Sequence, residues 1–277
     1  MKIEKIELKN YYSFLGDNNC NPTLTAYLPY NMPEMGRQND KRPCMLVCPG
    51  GGYGMCSERE AEPIALHFLP EGFNAFVLNY SVAPNRFPTQ LREVAAAMDL
   101  IYKNADKWNC DTEKIAIIGF SAGGHLAAHY STCFDIPEVR EVFPDSHSVN
   151  ASVLSYPVIT ADETNAHIGS FQNLLGHTPD VTETDKFSCE RNVNEKTPPA
   201  FLWHTAEDSG VPVENSLLYA TALSKYKIPF ELHIYPYGWH GLSTVDHTTN
   251  GELPENIISA KNWLSDVKRW LKMTFNY

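Results

Sequence analysis

After Pro43 the chain alternates between short unbroken apolar runs and stretches whose apolar residues recur every three or four positions. The runs are Met45-Leu46-Val47-Cys48, Ala75-Phe76-Val77-Leu78, Ile115-Ala116-Ile117-Ile118, Val153-Leu154, Ala200-Phe201-Leu202-Trp203 and Leu232-His233-Ile234-Tyr235. Runs this short and this continuous suit strands buried on both faces. Between them, residues 58–68, 122–133, 213–226 and 257–271 read as helices, and Leu91, Val94, Ala95, Met98, Ile101 and Tyr102 mark another. Pro88 opens that helix and Pro254 precedes the last one. Strands linked through helices need crossover connections, so the pattern predicts an α/β fold: a mostly parallel central sheet with helices on both faces.

Ahead of this region, Ile3, Ile6 and Leu8, then residues 23–28, alternate as two half-buried strands would. They are expected antiparallel at one sheet edge. Residues 160–199 break the rhythm: they are polar, end in Pro198-Pro199 and carry only a weak helical piece near 171–175. Forty residues is long for a connection, and such segments are commonly lids or binding loops. The expected organisation is one domain over 1–277, with 160–199 as a small cap inserted in it.

Charge and cysteine content narrow the function classes. Twenty-two Lys and Arg against 33 Asp and Glu give a net charge of −11, and the lone adjacent basic pairs are Lys41-Arg42 and Lys268-Arg269. An acidic surface repels phosphate backbones, so no nucleic-acid partner is expected. The first nine residues are interrupted by charge every two or three positions, and no stretch approaches a membrane span. Seven cysteines, an odd number, fit free thiols in a reducing, cytoplasmic setting.

One motif carries chemistry outright. Gly119-Phe120-Ser121-Ala122-Gly123-Gly124-His125 follows a strand and opens a helix, the setting that a Gly-x-Ser-x-Gly nucleophile turn requires. Its glycines let neighbouring backbone come close, and the turn lifts the Ser121 hydroxyl above the sheet. Cys48-Pro49-Gly50-Gly51-Gly52-Tyr53 follows the third strand. Glycines there admit a second backbone N–H to a developing oxyanion, so Gly51 or Gly52 would act beside Ala122. A phosphate loop would need a following Gly-Lys-Ser/Thr, which is missing.

A serine hydroxyl needs a base, and the base needs an acid to orient it. His204-Thr205-Ala206-Glu207-Asp208 and Gly238-Trp239-His240-Gly241 follow successive strands, on the edge where sites in open α/β sheets collect. His240 is the expected base. Asp208 is the preferred acid because it stands four before Pro212 at the turn into a helix, with Glu207 the competitor. His125 lines the pocket or is simply packed; His204 reads as buried; Cys44 and Cys48 read as buried thiols, and Cys56, beside the glycine loop, as a reactive or a structural one. Tyr53, Trp203, Tyr237 and Trp239 flank the site, with Tyr53 and Trp239 the candidates for substrate contact. No metal or other cofactor is expected.

These motifs, with Asp208-x-x-Val-Pro, residues 57–63 and residues 83–88, resemble the α/β-hydrolase superfamily over roughly residues 42 to 272. More narrowly they resemble its bacterial branch of acetyl-xylan and feruloyl esterase-like sugar hydrolases. Lipase-type relatives often carry histidine where this chain has Pro49, although the glycines remain. The resemblance implies an α/β-hydrolase fold and a serine esterase working through an acyl-enzyme on short-acyl esters, including acetylated sugars and xylo-oligosaccharides. A small ester is the implied partner, with no membrane, and a homo-oligomer stays open. A peptidase of the same fold and a non-catalytic binding protein are the alternatives. The complete Ser, Asp and His set argues against the second.

Overall fold

The computed structural model describes residues 1–15 and 20–277. Among them eight strands form one sheet: β1 (Lys2–Glu7), β2 (Thr23–Leu28), β3 (Arg42–Cys48), β4 (Asn74–Asn79), β5 (Cys110–Phe120), β6 (Ala151–Ser155), β7 (Ala200–Thr205) and β8 (Phe230–Tyr235). Their order across the sheet is β1-β2-β4-β3-β5-β6-β7-β8. Every neighbouring pair from β4 to β8 is parallel. β2 opposes the rest, pairing antiparallel with β1 and with β4. The expected edge hairpin and parallel sheet are therefore both present.

The helices are α1 (Glu62–Phe68), α2 (Thr89–Lys103), α3 (Ala105–Trp108), α4 (Ala122–Cys133), α5 (Pro137–Arg140), α6 (Ile168–Leu175), α7 (Val181–Phe187), α8 (Glu214–Lys225), α9 (His247–Asn250) and α10 (Trp263–Phe275). Residues of α2, α4 and α8 bury against one sheet face, with Leu46, Ile117 and Leu202 beneath them. Residues of α1 and α10 bury against the other, over Met45, Ile118 and Phe201. Coverage on both sides is why the interior strands β3 to β7 carry apolar residues in continuous runs, whereas the edge strands β1 and β8 do not bury both faces. On the second face Trp203 stacks on Trp263 at 5.0 Å between ring centres. Both are fully buried, so Trp263→Ala would cost about 3–5 kcal/mol.

Two helices differ from expectation. Residues 257–271 are not one helix: a 3₁₀ segment, Glu255–Asn262, precedes α10. Ile257, Ala260 and Trp263 are buried at a spacing of three, which three residues per turn places on one side. Only from Trp263 onward do the buried positions take the α spacing. Likewise a 3₁₀ turn at Glu58–Glu60 precedes α1.

Between β6 and β7 the chain forms α6, α7 and a 3₁₀ turn at Cys189–Arg191. Its Phe171, Leu174, Phe187 and Cys189 enter the same core as α4. α7 is held by a capping box in which Asp180 accepts from Glu183 N–H and the Glu183 carboxylate accepts from Asp180 N–H. No helix among the described residues is long and apolar enough to cross a membrane.

Candidate active site

Ser121 occupies the single-residue turn between β5 and α4, at φ +53° and ψ −120°. A side chain in that region costs about 1–3 kcal/mol, so the surroundings must fix it. They do so by three bonds: Ser121 N–H donates to Ser155 O (3.1 Å), and Ser121 O accepts from His125 N–H (3.1 Å) and Val158 N–H (3.0 Å). The flanking glycines are obligatory. A Cβ on Gly119 would lie 2.1 Å from Gly123 O, and one on Gly123 would lie 2.2 Å from Cys48 O. Removing both side chains lets α4 press against the end of β3, which brings the glycine loop beside the serine.

β7 and β8 end at Thr205 and Tyr235, and the loops that follow carry Asp208 and His240 back toward Ser121. His240 Nε2 lies 2.7 Å from Ser121 Oγ, and His240 Nδ1 lies 2.7 Å from Asp208 Oδ2. An ionised carboxylate only accepts, so Nδ1 carries the proton and the Nε2 lone pair faces the serine O–H. Asp208 Oδ1 accepts from Gly210 N–H and Val211 N–H, each at 2.9 Å. Burial alone would raise the Asp208 carboxyl, but bonds from His204 and His240 outweigh it and hold the group well below the usual carboxylate range. Glu207 sits elsewhere, accepting from Gly238 N–H at 3.3 Å.

The glycine loop completes the arrangement. The N–H groups of Gly51, Gly52 and Ala122 meet no acceptor among the described residues. Gly50 is already committed, donating to Glu60 Oε2 at 2.9 Å. Asn173 Nδ2 of α6 donates to Gly52 O at 2.9 Å, so the segment between β6 and β7 braces this loop. His167, hydrogen-bonded to Ser170 Oγ at 2.8 Å, lies beside Gly52. Burial pushes the His167 ring below its usual value, and His240 pushes the same way.

Several expected flanking residues lie elsewhere. Tyr53 is 1% exposed, so it does not line the rim. Its O–H donates to His125 Nδ1 at 2.8 Å, and its ring packs edge-on against Tyr80. His125 is equally enclosed: its Nε2–H donates to Phe187 O at 2.9 Å, and burial pushes it down to about 4. Trp203 belongs to the core stack described above. Tyr237 and Trp239, three and one positions before His240, are 44% and 45% exposed. The Cys56 thiol is pushed up to about 12 by burial, which makes it a poor nucleophile. A cavity of about 740 Å³ is lined by Thr25, Cys56, Arg59 and Thr249, and Ser121 is not among its lining residues.

Three contributors escaped the sequence reading. His204, fully buried, places Nε2–H within 3.3 Å of Asp208 Oδ2 and 3.0 Å of Val211 O, while its Nδ1 accepts from Ser216. Tyr156 lays its ring edge-on to His240 at 5.1 Å. Glu60 holds the glycine loop. The motif offered one signal for His204, its place four residues before Asp208 at a strand end. Glu60 is indistinguishable in sequence from Glu58 and Glu62.

Comparison with known proteins places this geometry among relatives. Residues 30–223 match the family model described as BD-FAE. The endo-1,4-β-xylanase B of Butyrivibrio fibrisolvens is 41% identical over 88% of this chain and 38% of that protein. The acetylxylan esterase of Xylanibacter ruminicola is 32% identical over 79% of this chain and 43% of that protein. The chain thus spans about two fifths of the length of these curated relatives. Among solved structures, the acetyl ester-xyloside bifunctional hydrolase from Caldicellulosiruptor lactoaceticus superposes with a TM-score of 0.83 at 38% identity, covering 98% of this chain and 96% of that one. A carboxylesterase of Lactobacillus plantarum WCFS1 also gives 0.83, at 29% identity over 99% and 98%.

Proposed function

This chain belongs to the BD-FAE family, and from that premise we propose that it is a serine carboxylic-ester hydrolase that removes short acyl groups, acetyl above all, from sugar or oligosaccharide alcohols. The observation that carries the reading is the relay from Ser121 Oγ through His240 to Asp208, with 2.7 Å at each step and the free Nε2 lone pair facing the hydroxyl.

Ser121 Oγ attacks the ester carbonyl as its proton passes to His240 Nε2. The new C–O bond drives the carbonyl electrons onto oxygen, where Ala122 N–H and Gly51 or Gly52 N–H receive them. The imidazolium, steadied by Asp208, returns its proton to the departing alcohol oxygen as that C–O bond breaks. Water then attacks the acyl-serine, giving its proton to His240, and Ser121 leaves with that proton restored. No metal or cofactor is called for.

Short acyl groups are favoured because Phe171, Leu174 and Phe187 between β6 and β7 are committed to the core and so are not available to line a long acyl channel. We assign that segment the role of a cap over the acyl side. The sugar alcohol rests on two supports. Tyr237 and Trp239 are exposed aromatics on the loop that carries His240, and two of the relatives are an acetylxylan esterase and an acetyl ester-xyloside hydrolase. The free thiols of Cys44, Cys48, Cys56, Cys110, Cys133 and Cys189 suit a cytoplasmic setting.

The test is a pair of measurements on wild type and Ser121→Ala. A fluorophosphonate probe should label the wild type alone, and acetate should be released from acetylated xylo-oligosaccharides by the wild type alone. Failure to label wild type overturns the mechanism. Labelling with p-nitrophenyl acetate hydrolysis but no acetate from the oligosaccharide overturns the sugar assignment.

A further inference from the structure

Glu60 is a buried carboxylate beside the reactive groups that the chemistry above leaves without a task. It is 3% exposed. Oε2 accepts from Gly50 N–H (2.9 Å), and Oε1 accepts from the Tyr156 hydroxyl (2.5 Å). The Tyr156 oxygen in turn accepts from Ser243 N–H at 2.9 Å. Gly50 begins the glycine loop, and Ser243 lies three residues beyond His240. One chain of bonds therefore joins the two loops that must hold their donors and their base at fixed separation. Trp263 Nε1–H donates to Ser243 O at 3.0 Å, which ties the same chain into the core.

The direction of the bonds bears on the charge that Glu60 carries. Ser243 N–H can only donate to Tyr156, which leaves the tyrosine O–H to donate to Glu60. Gly50 N–H can only donate to the other oxygen. Both carboxyl oxygens thus face donors, an arrangement that suits the ionised form. Burial holds the Glu60 carboxyl above the usual carboxylate range, and Tyr156, Gly50, His240 and Arg59, which favour its charge, offset only part of that. The groups facing His240 are Asp208 on the β7 loop, His167 before α6, Glu60 and Tyr156. Arg59 borders Gly241, the residue after His240.

We propose that Glu60 is a positioning residue: through Gly50 and Tyr156 it locks the oxyanion loop to the histidine loop, and its charge favours the imidazolium formed at His240 during acyl transfer. This rests on the ester-hydrolase reading and extends it to a residue outside the Ser-His-Asp relay.

Glu60→Gln tests it. The amide can still accept from Gly50, but its NH₂ must face the tyrosine O–H, so the chain of donors breaks. The expected result on p-nitrophenyl acetate is a kcat lower by about 10- to 100-fold with KM within about threefold, because the loss is of alignment rather than of binding. Removal of the facing charge should also move the acid limb of the kcat/KM profile to lower pH, by about half a unit or more. Glu60→Asp keeps the charge and should keep the limb in place while losing kcat. Tyr156→Phe breaks the chain with Glu60 unchanged, and Glu60→Gln should cost less in that background than in wild type. If Glu60→Gln does not fold, Tyr156→Phe carries the alignment test and Glu60→Asp the charge test. A kcat within twofold of wild type and an unmoved acid limb would overturn the proposal. A wild type that neither labels nor hydrolyses would instead overturn the ester-hydrolase reading on which it rests.

Discussion

Replacing Asp208 with asparagine changes one oxygen into an NH₂, and the structure dictates which. Oδ1 receives two backbone donors, Gly210 and Val211, both at 2.9 Å. An NH₂ there would strand both, at about 1–3 kcal/mol each. Oδ2 faces His240 Nδ1, which can surrender its proton by changing tautomer, and His204 Nε2, which has Val211 O as a second acceptor. The NH₂ therefore takes the Oδ2 place. His240 Nδ1 must then accept, its proton moves to Nε2, and Nε2–H points at Ser121 Oγ with no lone pair to receive the hydroxyl proton. Loss of the base through the wrong tautomer is worth about 10⁴ in kcat, about 5 kcal/mol of transition-state stabilisation. Steady-state hydrolysis of p-nitrophenyl acetate at pH 7 measures it, with circular dichroism to verify folding. Glu207→Gln serves as the internal contrast and should stay within about threefold, since Glu207 makes one bond at 3.3 Å, to Gly238. An Asp208→Asn enzyme within tenfold of wild type, or a Glu207→Gln enzyme more impaired than it, would refute the reasoning.

On a series of p-nitrophenyl esters kcat/KM should peak at acetyl or propionyl and fall by octanoyl; an apolar channel would instead gain about 0.8 kcal/mol per methylene, and an optimum at eight carbons would sink the short-acyl assignment. Glu93, buried and bonded to Ser81 N–H and Oγ, has its carboxyl pushed up to about 7 by burial. The folded state thus holds an extra proton between about pH 4.5 and 7, and stability falls by about 3 kcal/mol as pH rises through that window. Urea unfolding at pH 5, 6, 7 and 8 should show that slope in wild type and a flatter one in Glu93→Gln; parallel curves count against it. Because φ at Ser121 is positive, Ser121→Gly should be more stable than Ser121→Ala by about 1 kcal/mol although both are inactive, and equal melting temperatures would show the turn to be unstrained.

What could be read from sequence follows from how local each cause is. Five of the six apolar runs after Pro43 became β3 to β7 because burial on both faces writes itself directly into composition; the sixth became β8, an edge strand whose Phe230 and Ile234 are exposed. Ser121 and the glycine loop were legible for a similar reason: a tight turn and a close approach each restrict residue type at the position itself. Asp208 over Glu207 was legible only through the turn into Pro212. α7 carried its signal in Asp180-x-x-Glu183, and that signal was overlooked. Glu60, Tyr156 and His204 were not readable as parts of a site. Glu60 and Tyr156 meet partners 10 to 96 positions away, while His204 meets Asp208 at four, and nothing in a glutamate or tyrosine shows which backbone it will meet. Tyr53 failed the opposite way: adjacency to the glycine loop suggested a rim, but its ring turned inward to His125.

The backbone at Ser121 has a consequence for how this chain can drift. Glycine is the residue best suited to that turn, and where the serine codon is AGU or AGC a single base change yields glycine. A copy relieved of the need to split esters would become sturdier by taking that change, with no repacking and no disturbance of the sheet. Hydrolytic function and durability thus pull against each other at one position, and a lineage that stopped using the site would be expected to lose the hydroxyl early while keeping the fold around it intact.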